Sequence, residues 1–437
     1  MKKLLLSIAI IFATLSTFAQ SADDRVGEMM NTGQWFELRE FLQNNTDSVT
    51  PFLDDFAEAM LAHFFNKPKE AVELSSALIN SGNLDLGNVL SVSQLMAVDM
   101  GTLGQNEKAA QVLTQVLSQT KQYLDSTTVA IFENQIDRHM ALSKYTPYRV
   151  KKHTGVTSIP MKIDTLIMVE SQPPIMVSYL TDCRINGNSC EIRFDTGAGM
   201  NVVSSQKAKE MGLKTLNATM VAGGTRETAG IPIAIADSLN LGELTIYDVP
   251  FLVLDIRTGH DTLDVQLQRT DIVIGYEIMN ALKHIKLNFE KSCLMVSDNS
   301  FIATSEKPNM MIANGNQIVV QGNVNGSPML IDPDCGDGSF GIFFAESWPV
   351  MKTFVKDNQE PRNTLMGGSG GYDELQVYKI ENVPFTIGTT TISIPQIDLS
   401  EKYQPSKEYN VRIGLKTFLQ SKNVSFDMER MIMSIDK

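Results

Sequence analysis

The same punctuation occurs twice, in the same order, across the C-terminal two thirds of this chain. That repetition constrains the fold more tightly than composition does. Asn186-Gly187 is followed eight residues on by Asp195, and Asn325-Gly326 is followed eight residues on by Asp334. Asn-Gly is the strongest short-range signal for a two-residue hairpin, because both central positions need positive φ. Each aspartate then ends a strand, in Phe194-Asp195-Thr196-Gly197-Ala198-Gly199 and in Pro333-Asp334-Cys335-Gly336-Asp337-Gly338. Glycines placed after the acid let the backbone turn sharply and approach a second group closely. Three more landmarks recur in order. They are a glycine-rich loop (residues 220–230 and 366–372), an apolar run closed by glycine (Ile272-Val273-Ile274-Gly275 and Val411-Arg412-Ile413-Gly414), and a closing pair of strands (282–296 and 423–435). This shared order points to an internal duplication and to two similar mainly-β lobes.

At 437 residues the chain exceeds one ordinary core, so further domains are expected. Residues 22–145 have a different texture. Trp35, Leu38, Phe41 and Leu42, then Phe52, Phe56, Ala59, Met60, His63 and Phe64, recur at helical spacing. Asn66-Lys67-Pro68 and Gly104-Gln105-Asn106 punctuate the helices. Residues 64–72 align with 102–110 at an offset of 38. This resembles tetratricopeptide-type helix pairs, whose usual period is about 34; a plain helical bundle fits as well. Either form offers a surface for a protein partner. His63 and His139 read as packing or surface residues rather than ligands. The pattern breaks near Pro147 and residues 151–155, where a linker is expected.

The first residues suggest export. Met1-Lys2-Lys3 precedes an apolar run over residues 4–15, and a small-residue region ends near Ala19. That is the pattern of a secretory signal peptide, with delivery across the inner membrane to the periplasm or outside. No later stretch is long and apolar enough to suggest a membrane span. The net charge of -13, with scattered Lys and Arg, argues against nucleic-acid binding. Four cysteines make no disulfide scaffold, but the Asn186-Gly187 turn sets Cys183 opposite Cys190, so a cross-strand bond is conceivable. Four cysteines without partnering histidines are poor evidence for a metal site, and no metal or cofactor is expected.

Asp195-Thr196-Gly197-Ala198 after a strand, with Ile272-Val273-Ile274-Gly275 downstream, resembles the aspartic peptidases, most closely their retropepsin-like members. Two such lobes in one chain are similar to the bilobal, pepsin-like arrangement. The resemblance covers roughly residues 165–437. The expected architecture is therefore multidomain: a signal peptide (1–19), all-α helical hairpins (20–150) and two acid-protease-type β lobes (151–305 and 306–437). The resemblance implies hydrolysis of a peptide or protein substrate by Asp195 and Asp334, one from each lobe. Thr196, Gly197, Cys335 and Gly336 would anchor the two turns, and Gly275 and Gly414 would support them. Gly223, Gly224, Thr225 and Arg226, with Gly370 and Tyr372, would lie in loops closing over the substrate.

Two carboxylates held together cannot both ionise comfortably, so one proton is shared and one acid and one base result. Lobe two departs from the family pattern. Cys335 offers a weaker thiol where Thr or Ser is usual. Pro333 stands in place of Phe194, and Asp337 in place of Ala198. Asp332, Asp334 and Asp337 together also read as a solvated acidic turn. Two alternatives follow from the same residues. One is a peptide-binding module without chemistry; the other is a peptidase whose Asp195 pairs across a homodimer.

Overall fold

The computed structural model describes residues 21–45, 48–151, 154–166, 174–222, 228–260, 264, 271–368 and 371–437. The proposed leader lies outside these residues. The chain divides into two compact units, one reaching to Tyr145 and the other running from Thr146 to Lys437.

The first unit is helical: α1 (Ala22–Thr32), α2 (Trp35–Asn45), α3 (Pro51–Phe64), α4 (Pro68–Ser81), α5 (Leu86–Thr102), α6 (Asn106–Thr120) and α7 (Ser126–Leu142). Local chemistry sets the ends. Ser21 and Asp24 form a capping box at α1. Pro51 and Pro68 occupy first turns, where no amide donor is needed. Asp85 and Asp125 cap α5 and α7 through side-chain oxygens. Each helix packs on the next in sequence. Met96, Ala97, Leu113 and Phe132 form part of a core in the later helices. His139 is buried there, its Nδ1 2.8 Å from Asn106 Oδ1, and His63 Nδ1 lies 2.9 Å from Asp99. Both histidines are thus held by packing and hydrogen bonds.

The second unit contains two sheets. The strands of lobe one are β1 (Arg149–Val150), β2 (Val156–Leu166), β3 (Ile175–Ile185), β4 (Asn188–Phe194), β5 (Val202–Val203), β6 (Lys214–Ala222), β7 (Thr228–Leu241), β8 (Leu244–Val253), β9 (Ile272–Ile274), β10 (His284–Asn288) and β11 (Cys293–Ser297). Lobe two contains β12 (Met310–Ala313), β13 (Gln317–Val324), β14 (Ser327–Pro333), β15 (Gly341–Phe343), β16 (Arg362–Gly368), β17 (Gly371–Ile387), β18 (Thr390–Leu399) and β19 (Val411–Ile413). A hairpin, β20 (Asn423–Asp427) and β21 (Ile432–Asp436), closes the chain. Lobe one runs β2-β3-β4-β9-β5-β8-β7-β6, and lobe two runs β12-β13-β14-β19-β15-β18-β17-β16. The two orders match strand for strand, which is the duplication that the recurring landmarks imply. Asn186 and Asn325 both take φ near +50°, as their hairpin turns require.

One feature departs from a simple pair of closed lobes. The final hairpin leaves lobe two and joins lobe one's sheet, with β20 antiparallel to β10. Phe426 pairs with Ile285 and Val424 with Leu287, all four buried. The chain's last hairpin thus extends the sheet of lobe one, the other strands of lobe two form a sheet of their own, and both lobes share one apolar core. Residues 149–150, near the expected linker, already pair with β8.

Gly275 and Gly414 are needed for close approach. A Cβ on Gly275 would sit 2.0 Å from the Ala198 carbonyl oxygen, and one on Gly414 2.4 Å from that of Ser339. Gly275→Ala should destabilise the β unit by about 3 kcal/mol or more, since backbone rather than a flexible side chain must yield. Gly27→Ala, with nothing within 4 Å of the added carbon, should be neutral or stabilise α1 by up to about 1 kcal/mol. Urea unfolding followed through Trp35 and Trp348, one tryptophan in each unit, measures both.

Candidate active site

Each aspartate is fixed by the same backbone device. Asp195 N–H donates to Ile274 O (2.9 Å), and Asp334 N–H to Ile413 O (3.0 Å). The turn then closes on itself. Ala198 N–H donates to Asp195 O (3.2 Å) and Asp337 N–H to Asp334 O (3.1 Å). The residue after each supporting glycine completes the frame, Tyr276 N–H donating to Ala198 O (2.8 Å) and Leu415 N–H to Asp337 O (2.7 Å).

The two turns face each other. A Cβ on Gly197 would fall 2.5 Å from Asp334 Cγ, and one on Gly336 would fall 2.2 Å from Asp195 Oδ2. Each carboxyl therefore rests on the other lobe's glycine, and no larger residue fits there. The charge of Asp334 is thereby brought to bear on Asp195 across the interface. Beneath them runs a reciprocal grip. Thr196 Oγ1 donates to Pro333 O (2.5 Å) and accepts from Cys335 N–H (2.9 Å). The Cys335 thiol donates to Phe194 O (3.2 Å) and accepts from Thr196 N–H (3.4 Å). The thiol thus makes both bonds across the interface that Thr196 makes from its side.

Residues 181–278 match the aspartyl protease family. They form an aspartyl protease domain. No curated protein matches the chain. The matched segment contains Asp195, Thr196, Gly197 and Gly275, and it ends within the short helix Tyr276–Leu282.

Around the aspartyl protease domain's own carboxyl the electrostatics are asymmetric. Burial and then the negative charge of Asp334 raise Asp195 to about 7, against the opposing pull of Arg193 and the Gly197 amide. That amide donates to Asp195 Oδ1 at 2.9 Å. Asp337 is also raised, first by burial and then by the charge of Asp334. Its Oδ1 accepts from Ser339 N–H (2.8 Å), so it caps its own turn. Burial, followed by the neighbouring Asp195, pushes the Cys335 thiol up to about 12, which keeps it protonated as a donor.

The sequence pattern assigned no role to Gln317, Arg412 or Arg193, and it placed Asp332 in a solvated turn. Asp332 has no exposed surface, which rules out a solvated acidic turn. Its Oδ1 accepts from Gln317 Nε2 (2.5 Å), and its Oδ2 lies 2.7 Å from Arg412 Nε. Burial pushes Asp332 up and Arg412 opposes it; donors on both oxygens favour the ionised pair. Arg193 donates to the Gly336 carbonyl. A signal for Arg412 was available: it interrupts an apolar run at the position of Val273.

Gly223, Gly224, Thr225, Arg226 and Gly370 lie outside the described residues. Tyr372 pairs with Gly367 at the start of β17, and its ring meets His260 of lobe one edge-on at 5.3 Å. Cys183 and Cys190 are register partners, as the turn requires, and both are free thiols. Among the described residues no cluster of three or more His, Cys, Asp or Glu side chains could hold a metal ion.

The grip carries a testable load. Cys335→Ala leaves Thr196 N–H and Phe194 O buried without partners, and should cost about 1–3 kcal/mol in urea denaturation. Cys335→Thr should stay close to wild type. An alanine variant as stable as the threonine one would show that the thiol bonds contribute nothing.

Proposed function

We propose that the chain is an exported aspartic endopeptidase that hydrolyses peptide bonds with Asp195 and Asp334 at the cleft between the lobes. One observation carries this reading: the two carboxyl groups face each other across the interface, each lying on the opposite lobe's glycine. The aspartyl protease domain at residues 181–278 supports a peptide substrate. With one proton between the pair, the ionised member takes a proton from water while the protonated member gives one to the scissile carbonyl. The tetrahedral intermediate then collapses as the leaving nitrogen takes up a proton. The pair acts as a unit, so its protonation steps belong to both residues.

The glycine loops near 223–226 and 370–372 would cover an extended peptide, excluding water and offering backbone partners. The apolar leader supports export, with action in the periplasm or outside. The consecutive helix pairs of the first unit, tetratricopeptide-like in spacing, would recruit a protein partner or substrate. Among the described residues no helix is long and apolar enough to cross a membrane.

A homodimer that pairs Asp195 with its own copy is disfavoured, because Asp334 of the same chain already fills that place. A cleft that binds peptide without turnover is favoured by a single contact, Arg412 Nε at 3.3 Å from Asp334 Oδ2. It requires wild-type protein that retains peptide and never cleaves it.

Asp195→Asn and Asp334→Asn should each lower kcat on a cleavable peptide by about a thousandfold or more, and the double variant should be little worse. Turnover should fall as pH rises through about 7, because Asp195 then loses its proton and the acid is gone. Undiminished turnover in either variant would refute the reading.

A further inference from the structure

The lobes differ at one pair of facing strand positions beside the aspartates. In lobe one, Arg193 on β4 is in parallel register with Val273 on β9. In lobe two, Asp332 on β14 is in parallel register with Arg412 on β19. The cation has changed strands between the two copies, and its reach has changed too. Arg193 crosses to the Gly336 carbonyl. Arg412 stays within its own lobe, with Nε 2.7 Å from Asp332 Oδ2 and 3.3 Å from Asp334 Oδ2. It is held in place on two sides. Asp332 is itself locked by Gln317 (2.5 Å), and the Tyr409 hydroxyl lies 3.5 Å from Arg412 Nη2. A fixed positive charge is thus aimed at one member of the pair.

We propose that Arg412 is a positioning residue that keeps Asp334 the ionised member of the pair and leaves the shared proton on Asp195. The assignment rests on the peptidase reading above. It gives the two carboxyls separate tasks: Asp334 accepts the proton from water, and Asp195 donates to the substrate carbonyl. A charge 3.3 Å away in a poorly solvated site outweighs more distant or screened groups. Asp332 touches no reacting atom in this scheme. It holds Arg412 in place and balances its charge, so that a cation can sit beside the cleft without an unpaired buried charge.

The groups facing this point come from every neighbouring element. Lobe two contributes Asp332 from β14, Asp337 from the turn and Tyr409 from the segment before β19. Asp398 of β18, paired with Arg362 at 2.7 Å, and Lys416 interact with the charge of Asp337. Lobe one contributes Asp195 and Arg193. Among the described residues, Arg412 is the cation within 4.0 Å of an Asp334 oxygen.

The test is the pH dependence of kcat/KM for the full-length protein on a peptide that it cleaves. Arg412→Gln combined with Asp332→Asn removes both charges without orphaning either. Its acid limb should move to higher pH by one unit or more, a tenfold or greater loss at any pH on that limb, with KM unchanged. Asp332→Asn alone leaves Arg412 to Asp334, and its limb should stay or move to lower pH. Arg412→Lys keeps the charge and should keep the limb within about half a unit of wild type. A purely structural role would lower the rate equally at every pH. The assignment is overturned if the folded double variant keeps the wild-type limb, or if Asp332→Asn alone moves it up as far as the double variant does. Should the double variant fail to fold, a one-unit rise in Arg412→Lys overturns it instead. Asp195→Asn separates the two levels: turnover in that variant sinks the peptidase reading, whereas an inert Asp195→Asn with an unmoved limb sinks only the role of Arg412.

Discussion

Two carboxyl groups pressed together at the interface between two lobes are the constraint on which the rest of the β unit depends. Like charges in a poorly hydrated site repel, and each loses solvation. The protein offsets this with neutral donors and with geometry. Backbone amides of Gly197 and Asp337 donate to the carboxylates. Each lobe leaves a glycine where the other's carboxyl must rest. Below, the Thr196 and Cys335 side chains tie each turn to the backbone of the other, so the turns cannot separate without losing four hydrogen bonds. The hairpin β20-β21 extends that coupling by joining lobe two to the sheet of lobe one.

Duplication explains why the frame is symmetric, and divergence explains why the charges are not. The backbone bonds of the two turns correspond one for one. The residues around them do not: Arg193 and Val273 in one copy answer to Asp332 and Arg412 in the other. A chain carrying both lobes can differentiate them, which two identical copies in a symmetric dimer cannot. Each departure in lobe two has a physical place. The Cys335 thiol replaces a hydroxyl and still bridges the lobes, and Pro333 ends β14 with its carbonyl accepting from Thr196. Asp337 extends the turn, its amide donating to Asp334 Oδ1 at 2.9 Å.

Much of this frame was legible in the sequence because it rests on local chemistry. Asn-Gly turns, glycines that permit close approach and apolar runs ending in glycine act over a few residues and leave fixed spacings. The landmarks of lobe two could be matched in order to those of lobe one on those spacings alone. The pairing of β10 with β20 was not legible, since it joins residues well over a hundred positions apart and depends on shape rather than on a motif. The Asp332–Arg412 pair was missed for a related reason. Three acidic residues close in sequence look like a solvated turn until a distant strand supplies the guanidinium. The thiol of Cys335 was undervalued because its worth depends on which backbone atoms lie within reach.

The central claim is that Asp195 and Asp334 behave as one coupled pair within a single chain. The most direct measurement is the titration of the Asp195 carboxyl carbon by NMR, in the wild-type protein and in Asp334→Asn. Wild-type Asp195 should hold its proton up to about 7, and lose it at distinctly lower pH once the facing charge is removed. A carboxyl that titrates near the ordinary aspartate value of about 3.9 in both proteins would contradict it.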